Sequence, residues 1–193
     1  MWKVARSFMV AAVAAVGFVI TYAPVSAQLP PCDFISAGGF VVTNAGAEAN
    51  FGADGGCKRG AFWGSVNYVD HGGFLQTTPY HVSSIAVTGY IQIAPNVRDI
   101  CGMAETNADE LQPVYFRVRL VADEETGTPE AFGIRLSNGY PVVSVRPLGA
   151  GGPGGGFVQL HQPNASNTWP ASLPDVSTMC AGLSAPVGSG GVD

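Results

Sequence analysis

Residues 64–73 read GSVNYVDHGG and place Asp70 directly before His71. A carboxylate that orients an imidazole is what general-base and nucleophilic catalysis use, so this pair is the first candidate for chemistry. The direction of the side chains argues against it. VNYVDH alternates as a strand does, and adjacent strand residues project to opposite faces, so the two cannot share a proton or a metal without a bulge. The expectation is structural: Asp70 accepts hydrogen bonds from loop N–H groups, and His71 opens a turn completed by Gly72 and Gly73.

The other chemical residue types are scattered. His81 and His161 lie far apart, and neither belongs to an H-x-x-x-H, H-E-x-x-H or H-x-H pattern. No G-x-S-x-G presents a serine nucleophile. Residues 149–154, GAGGPG, match G-x-G-x-x-G literally, but a strand follows where a dinucleotide site needs a helix, so close backbone approach is expected. Asp123, Glu124 and Glu125 offer oxygens that calcium prefers, without the D-x-D-x-D-G spacing of a dedicated loop. Trp63, Tyr68, Phe74, Tyr80 and Tyr90 would make a carbohydrate-stacking platform if exposed on one sheet face, although Trp63 and Phe51 are more simply core residues. The candidate ligand contacts are therefore Asp70, His71, His81, His161, Trp63 and Tyr68, with no catalytic set, metal or cofactor assigned.

These candidates hang on strands. Runs with period-two alternation or β-branched and aromatic enrichment recur from Ser36 onward, each bounded by Gly, Pro, Asn or Asp: GGFVV, AEANFGA, AFWGSVNYV, HVSSIAVTGYIQI, PVYFRVRLVA, AFGIRL, YPVVSV and GGFVQLH. No comparable segment has helical periodicity. The pattern predicts an all-β fold, an antiparallel β-sandwich or flattened, jelly-roll-like barrel of about eight to nine strands. In AFGIRLSNGYPVVSV, a two-residue type I′ turn at Asn138-Gly139 sets Ser137 opposite Tyr140, Ile134 opposite Val143 and Phe132 opposite Val145. Arg135 and Arg146 then occupy the other face. In PVYFRVRLV the same alternation separates Phe116, Val118 and Leu120 from Arg117 and Arg119.

Lys3 and Arg6 precede the apolar run FMVAAVAAVGFVI, which ends at Pro24 and Val25-Ser26-Ala27, the order of a secretory signal peptide cleaved after Ala27. That run is shorter than the ~20 residues a spanning helix needs. Leu29-Pro30-Pro31-Cys32 only superficially resembles a lipobox, because Pro31 stands where a small residue should. Removing residues 1–27 leaves 166 residues, read as a β-sandwich domain at 28–163 and a Pro/Ser/Gly-rich tail at 164–193, ordered at most around Trp169 and Cys180. Asn164-Ala165-Ser166 is a formal glycosylation sequon, meaningful only in a eukaryotic host. Seven basic side chains then face fourteen acidic ones, which disfavours nucleic acid and anionic membrane surfaces as partners.

All four cysteines follow the cleavage site, and close C-x-x-C pairs for zinc are missing, so two disulfides are expected. Cys32–Cys57 follows if the first two strands form a hairpin around Ala45-Gly46, and Cys101–Cys180 follows by elimination.

The ordered signals CDFISAGGFV, AEANFG, VNYVDH, HVSSIAVTGY, FGIRLSNGY and GGGFVQLH resemble the post-COAP domain of exported bacterial proteins, over residues 32–161. The most specific elements are the Gly-Gly-aromatic strand followed by A-x-x-N-F-G, the Y-x-D-H segment, and the glycine-introduced strand ending at His161. The sequence departs from that pattern where Asn50-Phe51-Gly52 runs into Ala53, and in the region PNVRDICGMAETNADELQP. The resemblance implies an extracellular, accessory or adhesion-type β module with no enzymatic activity to carry over. The expected function is thus a secreted, non-enzymatic interaction module for an extracellular protein or polysaccharide. The alternatives are a secreted hydrolase with a shallow site of His71, His81 or His161 and an acid, and a calcium-stabilised carbohydrate binder.

Overall fold

The computed structural model describes residues 29–187 except 73, 76–77, 109–112, 124–128 and 149–153. Residues 1–28, on which the expected signal peptide falls, Glu124, Glu125, most of the 149–154 glycine loop and the last six residues lie outside the described set. The compact unit begins at Pro31.

Among the described residues nine strands form one antiparallel sheet: β1 Phe34–Val42, β2 Glu48–Lys58, β3 Ala61–Asp70, β4 Tyr80–Ala94, β5 Val97–Thr106, β6 Val114–Val121, β7 Ala131–Leu136, β8 Val143–Pro147 and β9 Gly155–His161. The order is β8-β7-β6-β5-β4-β3-β2-β1-β9, a meander whose last strand returns to the outside of the first. The all-β expectation holds, in the form of one sheet that curls on itself. Alternation makes the curl two-sided: Ala49, Phe51 and Ala53 of β2 and Val114, Phe116, Val118 and Leu120 of β6 are buried in one apolar cluster. Phe51 and Phe132 stack at its centre with centroids 4.0 Å apart.

Bulges supply the curvature. The β4–β5 register shifts between Ser84 and Ala86, between Val87 and Gly89, and between Gln92 and Ala94. Each extra residue bends its strand, which lets a 15-residue β4 wrap around the core. At the other side, β9 lies tight on β1: a Cβ at Gly156, whose φ is +134°, would come within 2.2 Å of Gly38 O, so only glycine fits this approach. Between β8 and β1 the curl is joined by side chains: Asn44 Nδ2 donates to Val142 O and Ser144 Oγ, and Arg146 donates to Asn44 Oδ1.

β5 is the strand that periodicity missed. VRDICGMAET buries Arg98 and Asp99 side by side, so polar residues occupy both faces and the apolar alternation is broken. The β7–β8 turn also differs from its expectation. Ile134 does face Val143, but a bulge sets Phe132 opposite Arg146 rather than Val145. Of the pair Asn138-Gly139 only Gly139 has positive φ, at 83°, whereas type I′ needs two such residues. The turn opens because Tyr140 leaves the hairpin for the core, as described below. The tight two-residue turn with both φ positive is instead Arg59-Gly60, between β2 and β3.

Both expected disulfides are present, Cys32–Cys57 and Cys101–Cys180. The segment after His161 is extended for most of its length, yet it is fastened at more points than Trp169 and Cys180. Arg59 N–H donates to Ser166 O, Gly60 N–H to Thr168 O, Arg117 Nη1 to Leu183 O and Val145 N–H to Val187 O. Its single helical turn, α1 Val176–Met179, is capped by Asp175 and sets Met179 against Gly89 of β4. The tail is therefore a strap running from the β2–β3 turn across β4, β5 and β6 to β8.

Candidate functional site

Antiparallel pairing sets the β1–β2, β3–β4, β5–β6 and β7–β8 connections at one end of the curl, and described residues of three of them, 43–47, Gly72 with Phe74, and 140–142, line one space there. Asp70 closes β3 there and is 6% exposed. Its Oδ1 accepts the Gly72 N–H at 2.7 Å, the loop bond expected from the sequence. Its Oδ2 accepts the Tyr140 hydroxyl at 2.5 Å, a contact from the far end of the sheet. The Tyr140 hydroxyl oxygen also lies 2.9 Å from the Tyr68 hydroxyl. Because Tyr140 spends its proton on Asp70, Tyr68 is the donor in that second bond. Burial pushes both phenols well above the usual tyrosine range, with Asp70 adding to the effect. They stay protonated and serve as donors.

Aromatic rings fill the rest. Tyr80 stacks on Tyr140 at 4.8 Å, and Phe74 meets the edges of Tyr80 and Tyr140 at 4.9 and 5.0 Å. Asn138 Nδ2 donates to the Tyr80 hydroxyl while Asn138 Oδ1 accepts from Tyr140 N–H, which ties the opened β7–β8 turn to this floor. Above it lies a cavity of about 370 Å³, walled by Thr43, Asn44, Ala45 and Ala47, by Asp70, Gly72 and Phe74, and by 140–143.

The histidines do not join it. His71 projects away from Asp70, is exposed, and has Nε2 at 2.6 Å from Asn50 Oδ1. His81 is exposed on β4, and its backbone N–H donates to Asn107 Oδ1. His161 lies at the opposite end, stacked on Phe34 at 4.4 Å with Nε2 at 2.8 Å from Ser36 Oγ. The condition for a carbohydrate-stacking platform, exposure on one sheet face, is not met, because Tyr68, Tyr80 and Tyr90 are inward-facing and fully buried. Trp63 is not in the core: it pairs with Gly56 on the outer face and leans on Phe34 at 5.9 Å, half-buried. Phe74 remains partly open at the cavity rim. Asp123 is exposed, and among the described residues no three His, Cys, Asp or Glu side chains are placed to hold a metal ion.

Two ion clusters escaped sequence reasoning, since their members lie on different elements. At the Cys57 end, Asp33 is gripped by Arg98 through Nε and Nη2, and the Tyr90 hydroxyl donates to it at 2.5 Å. Burial alone would raise the Asp33 carboxyl, but these donors outweigh it and hold it below the usual range. On the outer face, Asp99 receives both Arg117 and Arg119, beneath the strap carbonyl of Leu183. An Arg-Asp pair inside β5 beside the R-V-R of β6 was the available signal. Asp33 and Arg98 pair one to one, whereas the single Asp99 carboxylate is shared by two guanidinium groups.

Comparison with known families, with curated proteins and with solved structures returned no match to this chain.

Proposed function

We propose that this chain is a secreted, non-enzymatic β module for extracellular interaction, and that its ligand enters the cavity at the Asp70 end. The observation that carries this is the build of that end: three connections surround a 370 Å³ space above a hydrogen-bonded aromatic floor, and no imidazole lines its wall. Preformed, mostly apolar concavities with a few placed polar groups are where small ligands and chain ends bind.

Export is supported by the charged, apolar and small-residue order of residues 1–27 and by two disulfides, which persist in oxidising compartments. Among the described residues no helix is long and apolar enough to cross a membrane. The ordered motifs that resemble the post-COAP domain support an accessory or adhesion-type role in a bacterial exported protein, with an extracellular protein or polysaccharide as partner. A hydrolase has less support, because Asp70 and His71 diverge and the three imidazoles occupy separate places.

The test is a glycan and protein-ligand array on the disulfide-bonded protein beside Ala45→Trp, which fills the cavity mouth. Binding that the substitution abolishes, without turnover of a generic ester or glycoside panel, is the expected result. Hydrolysis lost on Asp70→Asn or His71→Ala would replace the module with an enzyme.

A further inference from the structure

Three aspartates are buried in the described structure, and two of them face guanidinium groups: Asp33 with Arg98, and Asp99 with Arg117 and Arg119. Asp70 is the exception. Among the described residues no Lys, Arg or His pairs with it, and its bonds come from one backbone N–H and one phenol. Each carboxylate oxygen has room for a second donor, so half of its acceptor capacity is unused. A buried carboxylate lacking an opposite charge is unfavourable, and here it lines a cavity open to small molecules.

The remaining wall narrows what fits. Ala45, Ala47, Pro141, Val142 and Val143 are apolar, and the polar groups of Thr43 and Asn44 already serve Ala47 N–H, Val142 O and Ser144. Phe74 and Tyr140 line the same cavity as the carboxylate, and the exposed Phe74 ring offers aromatic surface to a cation there. A neutral donor can bond to Asp70 but brings no opposite charge, and an anion is repelled by it.

Resting on the proposal that this cavity is the ligand site, we infer that its occupant is a small organic cation, an alkylammonium group. The charge meets Asp70 and the aromatic rings, while the alkyl body fills the apolar wall. Free amines and the ammonium headgroups of larger molecules share this chemistry.

The experiment titrates the full disulfide-bonded chain, by calorimetry or NMR shifts, with choline, phosphocholine and 3,3-dimethyl-1-butanol, the uncharged isostere of choline. Choline binding at least about tenfold tighter than the alcohol is expected, since one carboxylate contact plus cation–π attraction reaches that difference. Asp70→Asn should erase the preference, and Ala45→Trp should abolish binding of both. Phosphocholine equal to choline assigns a headgroup, and weaker phosphocholine assigns a free cation. Equal binding of choline and alcohol, or a preference that survives Asp70→Asn, overturns the cation and leaves the cavity as a binding site. No binding of choline, with array ligands still blocked by Ala45→Trp, does the same. If Asp70→Asn fails to fold, the choline–alcohol pair and Ala45→Trp decide alone.

Discussion

The Tyr140 hydroxyl donates to Asp70 Oδ2 across 70 positions of sequence, and this bond joins the end of β3 to the β7–β8 turn. It explains why a segment with hairpin chemistry does not make the two-residue hairpin. Folding Tyr140 into the core, where it is 4% exposed, gains ring burial and a carboxylate-assisted hydrogen bond.

Tyr140→Phe should therefore destabilise the fold by about 1–3 kcal/mol, the range for leaving a buried hydrogen-bonded group unanswered. Tyr68→Phe removes one bond and should sit at the lower end of that range. Denaturant unfolding of both single variants and the double variant checks this. Strict additivity would show that the two hydroxyls do not act as one network.

Stability should fall in acid through Asp33. A carboxyl held below its unfolded value stabilises the fold at every pH above that value, about 3.9, and loses the contribution as pH drops through the folded value. Urea midpoints measured from pH 6 to pH 2 should decline below about pH 4. Asp33→Asn should flatten part of that decline while lowering stability near neutrality by about 3–5 kcal/mol, because Arg98 is left buried and unanswered. An unchanged acid slope in the variant would remove Asp33 from the account.

Joint replacement of Cys101 and Cys180 by alanine should cost about 2–4 kcal/mol, as for a disulfide closing a long loop. The loss should be local. Hydrogen exchange should rise across 176–187 and at Arg117, whose guanidinium bonds Leu183 O, while β1–β3 keep their protection. Uniform loss of protection over the sheet would mean that the strap holds the whole barrel.

Trp63→Ala should cost clearly less than Phe51→Ala, for which about 3–5 kcal/mol is expected of a buried aromatic. The two residues differ in face, not in chemistry: Phe51 stacks on Phe132 inside, and Trp63 leans on Phe34 outside. Matched thermal melts are sufficient, and equal losses would put Trp63 back in the core.

Much of this protein was legible in its residues because the governing physics is local. Alternation of apolar side chains marked eight of the nine strands, since each strand buries one face. The same alternation separated Asp70 from His71 and placed Arg117 and Arg119 away from Phe116 and Val118. Cysteine count and hairpin spacing led to both disulfides. Tertiary structure alone decided what depends on distant partners. β5 is a strand because Arg98 and Asp99 find opposite charges on other elements, which no window of neighbours reveals. Tyr68, Tyr80 and Tyr90 look like a surface platform until the sheet curls and encloses them, and Trp63 looks like core until its register with Gly56 turns it outward. The cavity follows the same rule: its wall comes from three connections brought together by strand order, and Asp70 acquires its meaning from a tyrosine and from having no cationic partner among the described residues. Local periodicity chooses the face on which a side chain stands, whereas long-range pairing chooses its company, and the chemistry of a site depends on the company.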